Sequence, residues 1–293
     1  MTSPFVRRQR LATELRTLRE QRGITADELS KLIFRSRTTI SKLENARCRP
    51  DLGDVSNILN ALGTTREKSD EIFGIAREAT ARGWWDAYGD AMGSRQRLYA
   101  DIESGAATVR EYNQFTFPGT LQSPEFIRLM IKLAESEGKI DFVPERMLDA
   151  RLRRQEHALG KDGPHYEAIL DEVVIRRPTA PPRVMLGQLR YLIETMLGHP
   201  RVTVLILPLE ADFTGRLLPL SAFSLYTFPD PDDPPMTVVD TVSTDIVHIE
   251  HDEVMRYNQR YEHLRQAALS GAASLGLLTD AADALENRIG PLP

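Results

Sequence analysis

Leu11, Leu15 and Leu18 recur at i, i+4 and i+7 through residues 8–22, with arginine and glutamate among the positions between them, the spacing of one buried helix face. Gly23 ends that helix. Thr25 caps a second one over 26–33, where Glu28 completes a capping box and Leu29 and Ile33 turn inward. Ser36 caps a third, which carries Ile40 and Leu43 on its apolar side and ends near 46–48. After Pro50, the positions Val55, Leu59 and Leu62 form a fourth apolar stripe, and a fifth helix over about 66–81 groups Ile72, Phe73 and Ala76. Five short helices with a tight turn between the second and third predict an all-α helix-turn-helix domain over 1–82.

The pattern then changes. Gly83-Trp84-Trp85-Asp86-Ala87-Tyr88-Gly89 opens a hinge predicted over 83–97, and both tryptophans of the chain lie in it. Trp84 and Trp85 either anchor the hinge onto the core of a second domain or form a ligand-stacking platform. Residues 98–112 fit a helix or a strand around Ile102 and Val109. Ser123-Pro124 starts a helix over 124–137, and another is expected over 144–159. From His165 the chain shows β-rich runs at 166–175, 201–208, 221–228 and 236–250, one helix at 184–197, and the proline-rich loop 228–235. An amphipathic helix over 252–269 presents Val254, Tyr257, Tyr261 and Leu264. This mixture predicts an α+β C-terminal domain over 98–280 with a small, mainly antiparallel sheet, then a tail over 281–293.

Charge adds a functional dimension. The 293 residues carry a net charge of −5, but residues 1–50 hold 12 Lys and Arg against 5 Asp and Glu, so a head of +7 precedes a body of −12. A short basic head on a long acidic body is the pattern of a nucleic-acid reader fused to something else. The single cysteine, Cys48, excludes an internal disulfide and a cysteine-based zinc finger, and its position suits a small buried cap residue better than a redox switch. No stretch approaches the ~20 apolar residues that span a bilayer, and no signal peptide is visible, so a cytoplasmic protein away from membranes is expected.

The outward positions of helix three are Arg37, Thr38, Thr39, Ser41, Lys42 and Asn45. All can hydrogen-bond; in a major groove arginine takes guanine with two bonds, threonine meets a thymine methyl or a phosphate, and lysine pairs with phosphate or guanine. Ser36 and the helix N-terminus offer backbone N–H groups to a phosphate, while Arg35, Arg47 and Arg49 flank the helix and would neutralise the DNA backbone. Residues 24–46, ITADELSKLIFRSRTTISKLENA, resemble the helix-turn-helix of the Cro/cI or xenobiotic-response-element family. Phe34 replaces that family's turn glycine, Ser30 its packing alanine and Ala26 a glutamine that often touches DNA.

The body carries further motifs: Trp84-Trp85, the Phe117-Pro118-Gly119-Thr120-Leu121-Gln122-Ser123 turn, Arg151-Leu152-Arg153-Arg154-Gln155, Leu170-Asp171-Glu172, Gln188-Leu189 with Leu192, Val204-Leu205-Ile206-Leu207-Pro208, and Leu264 to Ser270. Their order and spacing resemble the actinobacterial WhiJ-like regulators, the Scr-type antitoxin-like group, over residues 8–280. The resemblance implies a transcription regulator whose C-terminal domain has no established chemistry, with a small acidic partner protein encoded nearby as its regulating ligand.

Catalytic signatures are absent: there is no GxSxG, P-loop or Rossmann fingerprint. His248 and Glu250 share a face if 236–250 is one strand, but lack a third ligand; Asp171 and Glu172 point to opposite sides of a strand. Arg151 and Arg154 form either internal salt bridges or a weak anion or partner site. The expectation is a DNA-binding regulator of double-stranded DNA, acting as a homodimeric repressor under control of its C-terminal domain by a partner protein or small ligand, with no catalysis, cofactor or metal. Its alternatives are an antitoxin-like partner-binding protein with autoregulatory DNA binding, and a DNA-tethered enzyme.

Overall fold

Ser3 sets the first helix. In the computed structural model, which describes residues 2–290, its Oγ accepts the Val6 N–H at 3.2 Å and Pro4 occupies the first turn. Helix α1 (Pro4–Gln21) therefore begins before the leucine stripe that announces it. It is followed by α2 (Ala26–Leu32), α3 (Arg37–Glu44), α4 (Leu52–Ala61) and α5 (Arg66–Ala79), each with a side-chain N-cap: Thr25, Ser36, Asp51 and Thr65. Their apolar faces meet in one core of Leu11, Leu15, Leu29, Ile40, Val55, Ile58 and Ile72, against which Cys48 packs. Burial pushes the Cys48 thiol up, away from the thiolate a redox switch would need.

The chain divides into two compact units. The first comprises Met1–Ala87, Leu98–Gly105 and Phe228–Pro234; the second takes Tyr88–Arg97, Ala106–Thr227 and the chain from Pro235 on. Ion pairs explain the two added segments of the first unit. Asp101 accepts hydrogen bonds from Ser3 Oγ (2.9 Å), the Phe5 N–H (2.8 Å) and Arg8 Nη2 (3.1 Å). The proline-rich loop presents Asp230 to Arg7 and Arg10 at 2.9 and 2.8 Å, and Asp232 to Arg10 at 3.0 Å. Gly105 lies so close to Ser3 that a Cβ there would sit 2.3 Å from the Ser3 nitrogen.

Two short 3-10 turns over Trp84–Met92 lead into α6 (Ser94–Gly105) and β1 (Thr108–Asn113), so the ambiguous stretch 98–112 is helix first and strand second. Then come α7 (Pro124–Glu137), α8 (Pro144–Ala158), β2 (His165–Asp171), α9 (Glu172–Arg176), α10 (Pro182–Gly198), β3 (Val202–Leu207), β4 (Phe223–Thr227), β5 (Met236–Val239), β6 (Ile246–His248), α11 (His251–Ala267) and α12 (Gly271–Ile289). The strands form one mixed sheet in the order β3-β2-β1-β4-β5-β6. Its β1–β4, β4–β5 and β5–β6 pairs are antiparallel, as the expected fold class has it, and its β1–β2 and β2–β3 pairs are parallel. Helical crossovers, α7 and α8 in one case and α9 and α10 in the other, make those parallel pairings possible. Tyr261 and Leu264 of α11 cover one face of the sheet, against Tyr112, Ile169, Leu205 and Phe223.

Three readings are corrected. The run 166–175 is strand only to Asp171, whose carboxylate caps α9 by accepting the Val173 N–H at 3.0 Å. The run 236–250 breaks into two strands, and Glu250 becomes the N-cap position of α11, so it shares no strand face with His248. The stretch from 281 is helical to Ile289.

Candidate nucleic-acid interface

Helix α3 is fixed from three sides before its outward face is considered. At its start, Ser36 Oγ accepts the Thr39 N–H at 3.1 Å and lies 2.9 Å from Thr39 Oγ1. Beneath it, Ile40 and Leu43 are buried in the head core. At its end, the buried Glu44 carboxylate receives Arg19 of α1 with both arms, Nε to Oε1 at 2.6 Å and Nη2 to Oε2 at 2.9 Å. Those bonds to Glu44 strengthen the hold of Arg19 on its proton. Neither Arg19 nor Glu44 stands out in a reading for DNA contacts. The available signal is a carboxylate in an inward position beside Leu43, which demands a buried cation.

The turn before α3 resolves the three departures from the Cro/cI pattern. Phe34 adopts φ +54°, the left-handed conformation that favours glycine, and the residue is 91% exposed. The chain closes behind it through the Arg35 N–H to the Ser30 carbonyl at 2.9 Å. Ser30 is buried, but its hydroxyl donates to the Asp27 carbonyl at 2.7 Å, so the packing position tolerates it. Ala26 opens α2 behind a complete Thr25–Glu28 capping box.

Of the predicted contacts, Arg37, Thr38, Ser41, Lys42 and Asn45 are exposed and occupy i, i+1, i+4, i+5 and i+8, one continuous face of α3. Thr39 lies at its edge, half-buried and spent on the cap. Asn45 donates to the Ser41 carbonyl at 2.7 Å and accepts from Arg16 at 3.2 Å. Arg37 makes one exposed ion pair with Asp27 at 3.5 Å. The flanking cations divide. Arg35 is held by Asp54 and Arg49 by Asp86, each at 2.6 Å, whereas Arg47 is exposed and makes no ion pair among the described residues. On the face of α3, four groups are thus poised to meet a duplex without first leaving a strong partner, Arg37, Thr38, Ser41 and Lys42, with Arg47 beside them.

The remaining candidates make their contacts within the fold. Trp84 and Trp85 meet edge to face, with centroids 5.9 Å apart. Trp85 is buried over Gly83, where a Cβ would fall 2.1 Å from the ring, and both tryptophans belong to the first unit and not to a second core. In the second unit the motifs that order the body converge on one knot. Arg151 donates to Gln122 Oε1 (2.7 Å), Arg154 to Gln96 Oε1 (2.8 Å) and Thr120 Oγ1 (3.3 Å), and Gln155 to the Gly119 and Gln122 carbonyls. Gln188, fully buried, donates to the Leu121 carbonyl and accepts the Ser123 N–H, both at 2.7 Å. The 117–123 turn is therefore gripped by α8 and α10. Glu172 is occupied by Arg176 and the Leu209 N–H, and His248 stacks on Tyr257.

A family model described as a helix-turn-helix domain matches residues 10–72, and one described as a domain of unknown function, DUF5753, matches residues 96–280. No curated protein and no solved structure matches the chain.

Proposed function

We propose that this chain, which belongs to the DUF5753 family and carries a helix-turn-helix domain ahead of that domain, is a sequence-specific repressor of transcription. The observation that carries the reading is the exposed face of α3, where Arg37, Thr38, Ser41 and Lys42 stand together on a helix clamped from behind by the Arg19–Glu44 pair. Arg37 and Lys42 read guanine edges or phosphate, Thr38 and Ser41 fill in along the groove, and the N-terminal turn of α3 offers free N–H groups to a phosphate. Arg47 neutralises backbone charge beyond the helix.

The likeness of residues 24–46 to the Cro/cI family supports this docking mode, and that of the body to the WhiJ-like, antitoxin-like group supports control through the C-terminal domain by a small acidic partner protein. In this reading the protein works in the cytoplasm, without a catalytic step, as a homodimer on half-sites about 34 Å apart.

Genomic footprinting of the tagged protein, followed by binding measurements on the recovered sites, tests it. Paired half-sites one helical turn apart are expected. Arg37→Ala should cost about 1–3 kcal/mol on such a site and relax the preference at one base pair. Equal losses on the recovered site and on random duplex would remove the base-reading role.

A further inference from the structure

We propose that a cavity of the second unit, walled by α7 and α8, binds a small organic carboxylate with an apolar body, and that Arg151 is the group that receives its charge. The site is independent of the DNA-binding reading.

The cavity has a volume of about 700 Å³, and Arg151 lines it together with Met92, Ile131, Phe142 and Met147. Met92, Ile131 and Met147 are buried and, with Met130 and Phe142, make one apolar side of a cavity whose other side is polar; three methionines make the apolar side adaptable in shape. Arg151 is the anomaly in this wall. Among the described residues no carboxylate pairs with it; its one hydrogen bond there is Nη2 to the neutral Gln122 Oε1 at 2.7 Å, and its buried Nε finds no partner among them. Burial, with Arg154 as a neighbouring cation, pulls its pKa down to about 10. A half-buried guanidinium whose Nε has lost water without gaining a partner is costly, and an anion entering the cavity supplies the missing charge.

The other charged groups of the wall narrow the ligand to a single negative charge. Arg95 is already neutralised by Asp245 at 2.5 Å, and Asp141 is held by the Ser94 N–H at 3.0 Å and Ser94 Oγ at 2.8 Å. Exposed Lys139 and Glu137 offset each other at the rim. The Ser94 bonds favour the charged form of Asp141, so the lining keeps one carboxylate of its own beside Arg151; this suits a ligand with a single negative charge seated on the arginine and disfavours a dianion such as phosphate.

Titration calorimetry on the full chain with a phenylalkanoate series, phenylacetate to 6-phenylhexanoate, tests the assignment. At least one acid is expected to bind with a Kd below a millimolar, its uncharged amide at least tenfold more weakly, and inorganic phosphate no better than the amide. Arg151→Gln should lose the acid at least tenfold while circular dichroism stays unchanged. Ala134→Phe, which fills the cavity from α7 and leaves Arg151 in place, should abolish binding as well, and it decides the case if the arginine variant does not fold. Failure of every acid to bind, equal affinity for acid and amide, or undiminished binding by the variants would overturn the proposal.

Discussion

Glu44 illustrates how a residue that never touches DNA can govern a recognition helix. Its side chain and that of Arg19 are both largely withdrawn from solvent, and the guanidinium engages the carboxylate with two parallel bonds. Removing one member of such a pair leaves the other charge buried without compensation. Glu44→Gln is therefore expected to destabilise the first unit by about 3 kcal/mol, seen as an earlier unfolding transition in urea; a change below about 0.5 kcal/mol would mean that the pair behaves like a surface ion pair. The exposed face of α3 is legible in the sequence because Ile40 and Leu43 fix which side turns inward. What the sequence hides is occupancy. Arg35, Arg49 and Asn45 find partners in Asp54, Asp86 and Arg16, remote in the chain or on other helices, and no local pattern announces such pairings.

Among the elements, legibility follows the size of the buried side chains. Helices α7 and α8 match their predicted ranges to within a residue because proline starts them and large apolar groups mark their faces. Helix α12 is silent by comparison, since the residues it buries are Ser274, Leu278 and Ala282, small or polar at two positions of three. Its work is at the edge of the sheet. β3 is an edge strand, and its Ile206 N–H donates to Ser274 Oγ at 2.9 Å while its Ile206 carbonyl accepts the Leu269 N–H at 2.8 Å. The start of α12 and the turn before it thus satisfy backbone groups that would otherwise invite another strand. Ser274→Ala should strand the Ile206 N–H and cost about 1–3 kcal/mol. Hydrogen exchange at Ile206 should accelerate selectively, and unchanged protection there would assign the edge to packing alone. The parallel half of the sheet was equally hidden, because strand direction depends on which helices cross over, and short apolar runs do not state it.

For the molecule as a whole, the basic surplus of the head looks different once partners are assigned. Arg7, Arg8, Arg10, Arg19, Arg35 and Arg49 all sit in ion pairs of 3.1 Å or shorter. The acidic segments that neutralise the first three, Asp101 and the 230–233 loop, come from beyond residue 82, so a charge count over 1–50 overstates what the head presents to a duplex. On and beside the recognition face, Lys42 and Arg47 make no ion pair among the described residues, and Arg37 makes only the exposed 3.5 Å contact. Three available cations imply release of about three counterions per protomer, and hence a slope near −3 for log K against log salt on random-sequence duplex. Lys42→Ala should flatten that slope by about 1 and weaken binding evenly across sequences. A wild-type slope of about −6 or steeper would instead mean that the internally paired arginines leave their carboxylates on contact with DNA, making the acidic loop a competitor for the phosphate backbone.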